Sequence, residues 1–203
     1  MSNHASLTEQ LSAQLQGAPL QQLSQQLGID QNQASSAVSA ALPLLMGALG
    51  RNSAQPQGAE ALFGALQRNH SGLDIGSVLG AVMGGSSTPQ TNGAGMLGHI
   101  FGGNQPRAEQ GLAQATGLDG DRAGQLLKTL APIVMAFLAQ RMTQGGQDAT
   151  GLSRTLGQEQ QQIAQQGGVG GGLLGAVLDQ DGDGQLGLGD LLKIGGGLLG
   201  GRR

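Results

Sequence analysis

An internal repeat constrains the fold of this chain more than any other feature of its sequence. Residues 21–49 align without a gap with residues 110–138, at a constant offset of 89 positions (110 − 21) and with nine identities. In both copies a glycine stands two residues before an aspartate, and a proline stands three residues before a methionine. Self-similarity of this kind indicates two related structural units that pack together.

Both copies of the repeat predict the end of one helix followed by the start of the next. Gly28 and Gly117 suit the left-handed position after a helix, and Asp30 and Asp119 suit the N-cap of a new helix. We therefore predict a short helix before each glycine and a long helix after each aspartate. The proline inside each long helix removes a backbone donor and is expected to bend it.

Apolar residues at helical spacing predict further helices along most of the chain. The predicted helices cover about 7–15, 19–28, 30–49, 58–68, 72–83, 119–143 and 150–166, with one more that has Pro106 in its first turn and ends near Gly117. Ser6 and Glu9 have the spacing of a capping box at the first of these helices. Residues 50–57 are predicted as a loop. The helix at 150–166 has few apolar positions, so we expect it to be weakly anchored.

These elements predict an all-α fold of two related multi-helix units in tandem. The first unit is assigned to residues 1–83 and the second to residues 95–166. Residues 84–94 are rich in Gly, Ser and Thr and offer almost nothing to bury, so they are predicted to be a linker. The Gly-rich segment 167–203 is predicted to add a helix-loop-helix around residues 179–190.

The composition limits how the core is built and which chemistry the chain carries. There are 39 glycines, three phenylalanines and no tryptophan or tyrosine, so Leu, Ala, Val, Ile and Met must fill the core. Small residues in such numbers imply close contacts between helices. Cysteine is absent from the sequence, which excludes disulfides, thiolate zinc sites and a cysteine nucleophile.

Charge and hydropathy bear on the expected partners and location. The net charge is −3 and the arginines are scattered singly, so we expect no nucleic-acid partner. The N-terminus has neither a basic flank nor an apolar core segment, which favours a cytoplasmic protein. The longest apolar run, Leu130–Ala139, is about half of a membrane span and is predicted to be a buried helix segment. Glycines break up the Leu-rich tail after Leu188, so membrane contact is not expected.

Four stretches of the second unit resemble DUF937, a bacterial domain of unknown function. They are LGHIFGG at 97–103, QGLA at 110–113, GL at 117–118 and LAPIVM at 130–135. The resemblance covers most of residues 95–180 and, less distinctly, residues 20–83. It implies an all-helical fold and no assigned activity, so it contributes no catalytic residue. The first unit lacks the opening that LGHIFGG gives to the second.

Residues 179–190 resemble the calcium loop of an EF-hand, which surrounds a hard cation with oxygen ligands. Asp179, Asp181 and Asp183 occupy loop positions 1, 3 and 5, where carboxylates point inward. Gly184 at position 6 permits the sharp turn, and the carbonyl of Gln185 serves position 7. The alternative is a solvated acidic turn, because Asp and Gly are common in turns.

Two positions of this loop depart from the usual pattern. Gly187 at position 9 has no side chain and leaves that ligand to water, and position 12 is Asp190 in place of glutamate. The shorter carboxylate of Asp190 reaches less far, which narrows the preference for Ca²⁺ over Mg²⁺ and predicts weak or moderate affinity. We expect Ca²⁺ as the bound ion, with Mg²⁺ as the alternative.

No pattern of catalytic residues stands out in the sequence, and we do not expect an enzyme. Spacings of the GxGxxG type begin at Gly93, Gly170 and Gly195, but none follows a predicted strand, which the nucleotide-binding motif requires. His99 has no carboxylate or second histidine at helical spacing, so a packing or capping role is predicted for it.

The sequence thus predicts a non-catalytic helical module that binds a divalent cation, with the cation acting as a static clip rather than as a signal. The predicted ligands are Asp179, Asp181, Asp183, Gln185 and Asp190. The alternative is a self-associating scaffold, in which small-residue helix faces make homotypic contacts and the metal loop is purely structural.

Overall fold

The computed structural model describes residues 6–70, 75–85 and 88–166, and every regular element within these ranges is helical. The predicted all-α fold is therefore confirmed. The helices are α1 (Leu7–Leu15), α2 (Ala18–Leu27), α3 (Gln31–Ser53), α4 (Pro56–His70), α5 (Ile75–Met83), α6 (Gly93–Phe101), α7 (Gln105–Thr116), α8 (Gly120–Gly145) and α9 (Ala149–Gln166), with a 3-10 turn at Gly102–Asn104 between α6 and α7.

The same caps separate α2 from α3 and α7 from α8. Gly28 and Gly117 are left-handed, with φ of 64° and 70°, and end the shorter helices. Asp30 and Asp119 then accept hydrogen bonds from the backbone N–H three residues on, at 2.9 and 2.8 Å. Both predicted helix ends and both predicted starts are confirmed, because the chemistry that specifies them is local to each stretch.

The predicted loop at residues 50–57 is wrong over most of its length. Helix α3 continues to Ser53, and α4 begins at Pro56, so the connection is a tight turn. Gly50 is buried where α3 meets α9, and the Ser53 hydroxyl donates to the Gly50 carbonyl at 3.0 Å. Packing against a neighbouring helix thus stabilises a helical segment whose glycine suggested a break.

The two long helices, α3 and α8, form the centre of a single hydrophobic core. All of Leu130–Ala139 is buried, as predicted, and buried residues from α1 to α9 join the same cluster. Helix α3 packs most extensively on α9, and α8 packs on α4, so helices from both predicted units interleave. By length and composition α3 and α8 could each cross a membrane. In the most apolar 18-residue stretch of each helix, however, 72% (α3) and 83% (α8) of the stretch is buried within the fold.

Helix α9 is firmly anchored, so the expectation that it packs weakly is wrong. Leu152, Leu156 and Ile163 are all buried, and α9 is the principal neighbour of α3. A Cβ on Gly50 would come within 3.0 Å of the Leu156 carbonyl oxygen, so the two backbones approach closely there. Close approach over a glycine compensates for the small number of large apolar side chains on α9.

Candidate functional site

The predicted metal ligands lie outside the described residues. Asp179, Asp181, Asp183, Gln185 and Asp190 all belong to the segment after residue 166, and the EF-hand-like loop therefore stays a prediction. Within residues 6–70, 75–85 and 88–166, no three His, Asp or Glu side chains come together as a group that could hold a metal ion.

Glu159 on α9 is a buried carboxylate that stabilises the start of α1. Only 3% of the residue is exposed, and its two carboxylate oxygens accept hydrogen bonds from the backbone N–H groups of Leu7 and Thr8, both at 2.8 Å. The Thr8 hydroxyl donates to the same carboxylate. Because the first N–H groups of a helix have no partner inside it, a distant carboxylate is an effective cap for α1. The role of Glu159 is structural.

The capping box predicted at α1 is also confirmed. The Ser6 hydroxyl accepts from the Glu9 N–H at 3.1 Å, and the Glu9 carboxylate accepts from the Ser6 N–H at 2.9 Å. The start of α1 therefore has both a local cap and a remote one. Sequence analysis missed the remote cap. The sequence does contain a sign of it, because Glu159 follows Leu152 by seven residues, which is about two helical turns. Glu159 therefore lies on the apolar face of α9, where a carboxylate needs a partner.

A cleft of about 630 Å³ lies between α4 and α6. Its floor is formed by α3 and α8, and one end is closed by the connection that precedes α6. The walls are mainly aliphatic and the rim is polar. The lining residues are Leu49, Asn52, Gly58, Ala61, Leu62, Ala65, Arg68, Pro89, Asn92, Gly95, Met96, His99, Ile100 and Met135.

Two asparagines of this cleft hold its walls in place. The Asn52 amide on α3 donates to the carbonyls of His99 and Ile100 at 3.0 and 2.8 Å, which ties the end of α3 to the end of α6. Asn92 caps α6 by accepting from the Gly95 N–H at 3.0 Å. Bonds from a side chain to backbone carbonyls fix the distance between two helices more tightly than apolar contact does.

Two glycines set the spacing of the elements around the cleft. A Cβ on Gly58, in the first turn of α4, would overlap the carbonyl oxygen of Asn52. A Cβ on Gly93, at the start of α6, would overlap the carbonyl oxygen of Lys128 on α8. The first turns of α4 and α6 therefore lie directly on neighbouring backbone, and both positions require glycine.

Among the described lining residues the one permanently charged side chain is that of Arg68, which is exposed near the end of α4. The described lining contains neither Asp nor Glu. His99 is exposed on α6 and lines the same cleft, so its side chain is not packed in the core, and the capping role that was the other expectation stays a prediction. Arg51, in the last turn of α3, is partly buried, and this desolvation lowers the pKa of its guanidinium.

Comparison with known proteins identifies a family for most of the described structure. The family described as a bacterial protein of unknown function (DUF937) matches residues 9–141, a stretch that contains both walls of the cleft and most of α8. No curated protein and no solved structure matches the chain.

Proposed function

The chain belongs to the DUF937 family of bacterial proteins of unknown function. We propose that it is a non-catalytic helical module that binds a divalent cation. The proposed site is the C-terminal loop at residues 179–190, which follows the family match. Ca²⁺ is the proposed ion, and Mg²⁺ is the competing one.

The observation that carries this proposal is the coincidence of oxygen donors in the loop. Asp179, Asp181 and Asp183 alternate along the chain, Gly184 permits the turn after them, and Asp190 closes the twelve-residue spacing. Alternating carboxylates converge on one centre when the loop turns at the glycine. Binding then neutralises the four aspartates, which otherwise repel one another, and orders the segments on either side.

We also propose that the helical body consists of two related units, to which the C-terminal helix-loop-helix is added. Gly28 and Gly117 end short helices in the same left-handed conformation, and Asp30 and Asp119 begin the two long helices with the same hydrogen bond. Positions 89 residues apart thus share both sequence and backbone geometry, which supports duplication of one unit.

The proposed function is tested by isothermal titration of the full chain with Ca²⁺ and with Mg²⁺. We expect saturable binding by the wild type and loss of binding in Asp181→Ala. Asp121→Ala, which removes an exposed aspartate of α8, is the matched control and should bind as the wild type does. Flat traces for the wild type with both ions would refute the proposal.

Self-association is the second candidate function. Gly80 on α5 and Gly98 on α6 are exposed, and a Cβ on either would meet no other atom within 4 Å. Two open small-residue positions on helix surfaces favour close contact with a second copy of the chain. Light scattering with and without a chelator separates the two candidates, since assembly that ignores the chelator supports the scaffold.

A further inference from the structure

We propose that the cleft between α4 and α6 binds a small aliphatic carboxylate, with its alkyl chain against the floor and its carboxylate at Arg68. This proposal does not rest on the cation proposed above, because every observation that carries it concerns described residues. The proposal follows from the size of the cleft, the kind of side chains that line it, the sign of its charge and the rigidity of its walls.

The volume and the walls of the cleft suit an alkyl chain. About 630 Å³ lies within the range of roughly 300–1,000 Å³ that is typical of small-molecule sites. Leu49, Leu62, Met96, Ile100 and Met135 provide aliphatic and thioether surface, and the described lining contains no phenylalanine. Unbranched methionines adapt to a flexible chain, whereas a planar ring is best held by aromatic faces.

The charge of the cleft selects an anionic head group. Arg68 and His99 lie at its rim, and the described residues provide no ion-pair partner for Arg68. A guanidinium binds a carboxylate through two parallel hydrogen bonds, which gives direction as well as attraction. In a chain of net charge −3, a concave surface whose described lining has one cation, Arg68, and no carboxylate is complementary to an anion.

The cleft is built to keep its shape without a ligand. Asn52 holds α6 through two carbonyl groups, and Gly58 and Gly93 bring the first turns of α4 and α6 onto neighbouring backbone. A pre-formed site spends little binding energy on ordering its own walls.

Methyl NMR of the full chain, labelled at the methionine methyls and kept in chelator, tests the proposal with sodium decanoate as the probe. Met96 and Met135 line the cleft, whereas Met46 is buried in the core and Met142 lines two other concavities, so its signal reports binding outside the cleft. We expect saturable shifts of the Met96 and Met135 signals at decanoate concentrations well below micelle formation. The Met46 and Met142 signals should not move.

A charge variant separates recognition of the carboxylate from burial of the alkyl chain. Arg68→Gln should weaken decanoate binding about tenfold, the loss expected for one charge-assisted contact, and should leave the binding of uncharged decanol unchanged. Arg107→Gln, on the exposed face of α7 and outside the lining, is the matched control and should bind decanoate as the wild type does.

Four results would overturn the proposal. Equal shifts at all four methionines would mean that decanoate acts as a detergent, and no shift at Met96 and Met135 would mean that the cleft does not bind it. Undiminished decanoate binding by Arg68→Gln would remove the assigned head-group contact. Signals of Met96 and Met135 that change on dilution of the ligand-free protein would show that a second copy of the chain occupies the cleft.

Discussion

Two helix pairs occupy comparable places around the long helices and differ in how they meet. Helices α1 and α6 each precede a short glycine-capped helix, and α9 and α4 each follow a long one. In the closed corner, α1 with α9, Glu159 hydrogen-bonds the first turn of α1. In the open corner, α4 with α6, the two helices are separated by the cleft.

The sequence offset between corresponding helices of the two copies also changes at these corners. Helices α3 and α8 begin 89 positions apart (31 and 120), but α4 and α9 begin 93 positions apart (56 and 149). The additional four residues are about one helical turn. At the spacing of 93, the buried Leu66 of α4 corresponds to the buried Glu159 of α9. A carboxylate on α9 thus bonds the first turn of α1, whereas the corresponding residue of α4 is apolar and offers no hydrogen bond to a neighbouring helix.

Breaking the open corner should have the largest effect on stability. Gly93→Ala drives a methyl group into the carbonyl oxygen of Lys128, and we expect it to lower the free energy of unfolding by about 3 kcal/mol. Gly98→Ala, on the same helix but facing open space, should raise it by about 0.5–1 kcal/mol because alanine favours the helix. Urea unfolding of both variants measures the difference. Equal effects would contradict the close contact of α6 with α8.

Removing the carboxylate of the closed corner should lower the free energy of unfolding nearly as much. Glu159→Ala leaves the N–H groups of Leu7 and Thr8 without their acceptor, which should lower the free energy of unfolding by about 2–3 kcal/mol. Glu60→Ala, an exposed glutamate on α4, is the control and should be nearly neutral. If the two variants unfold at the same urea concentration, Glu159 does not seal this corner.

Removing the hydrogen bonds that hold α6 in the open corner should have an intermediate effect on the free energy of unfolding. Asn52→Ala removes two hydrogen bonds to carbonyls of α6, and we expect a loss of about 1–2 kcal/mol in urea unfolding. The Met96 methyl signal should move in this variant, because α6 is no longer held at its end, while the Met142 signal stays in place. An unchanged Met96 signal would show that packing alone positions α6.

The smallest expected effect concerns the helix N-caps that the two copies of the repeat share. Asp30→Ala and Asp119→Ala each remove one N-cap acceptor, and each should cost about 1 kcal/mol in thermal or urea unfolding. The double variant should lose the sum of the two, since distant caps act independently. Clearly unequal losses would mean that the equivalent caps contribute different amounts to the free energy of unfolding in the two copies.

The sequence predicts what depends on neighbouring residues and misses what depends on distant ones. The ends of α2 and α7 and the starts of α3 and α8 were predicted correctly, because a glycine or an aspartate specifies each cap locally. The helical state of residues 50–53 was missed, because contact with α9 stabilises it.

The candidate site shows the same limit more strongly. Glu159 contacts residues about 150 positions earlier in the chain, so no local pattern names its partners. The cleft is formed by residues that range from Leu49 to Met135, and only the packed helices bring them together. The metal ligands were predicted from one loop of twelve positions, which lies outside the described residues and stays a prediction.

The central functional claim, a cation held by the loop at residues 179–190, is tested most directly by the amide NMR signal of Gly184 during a Ca²⁺ titration of the full chain. Ordering of the loop around the ion should shift this signal strongly and saturably, and Asp181→Ala should abolish the shift. The proposed cation site does not involve the cleft, so the methyl signals of Met96 and Met135 should not change. A Gly184 signal that stays in place at high Ca²⁺ would contradict the account.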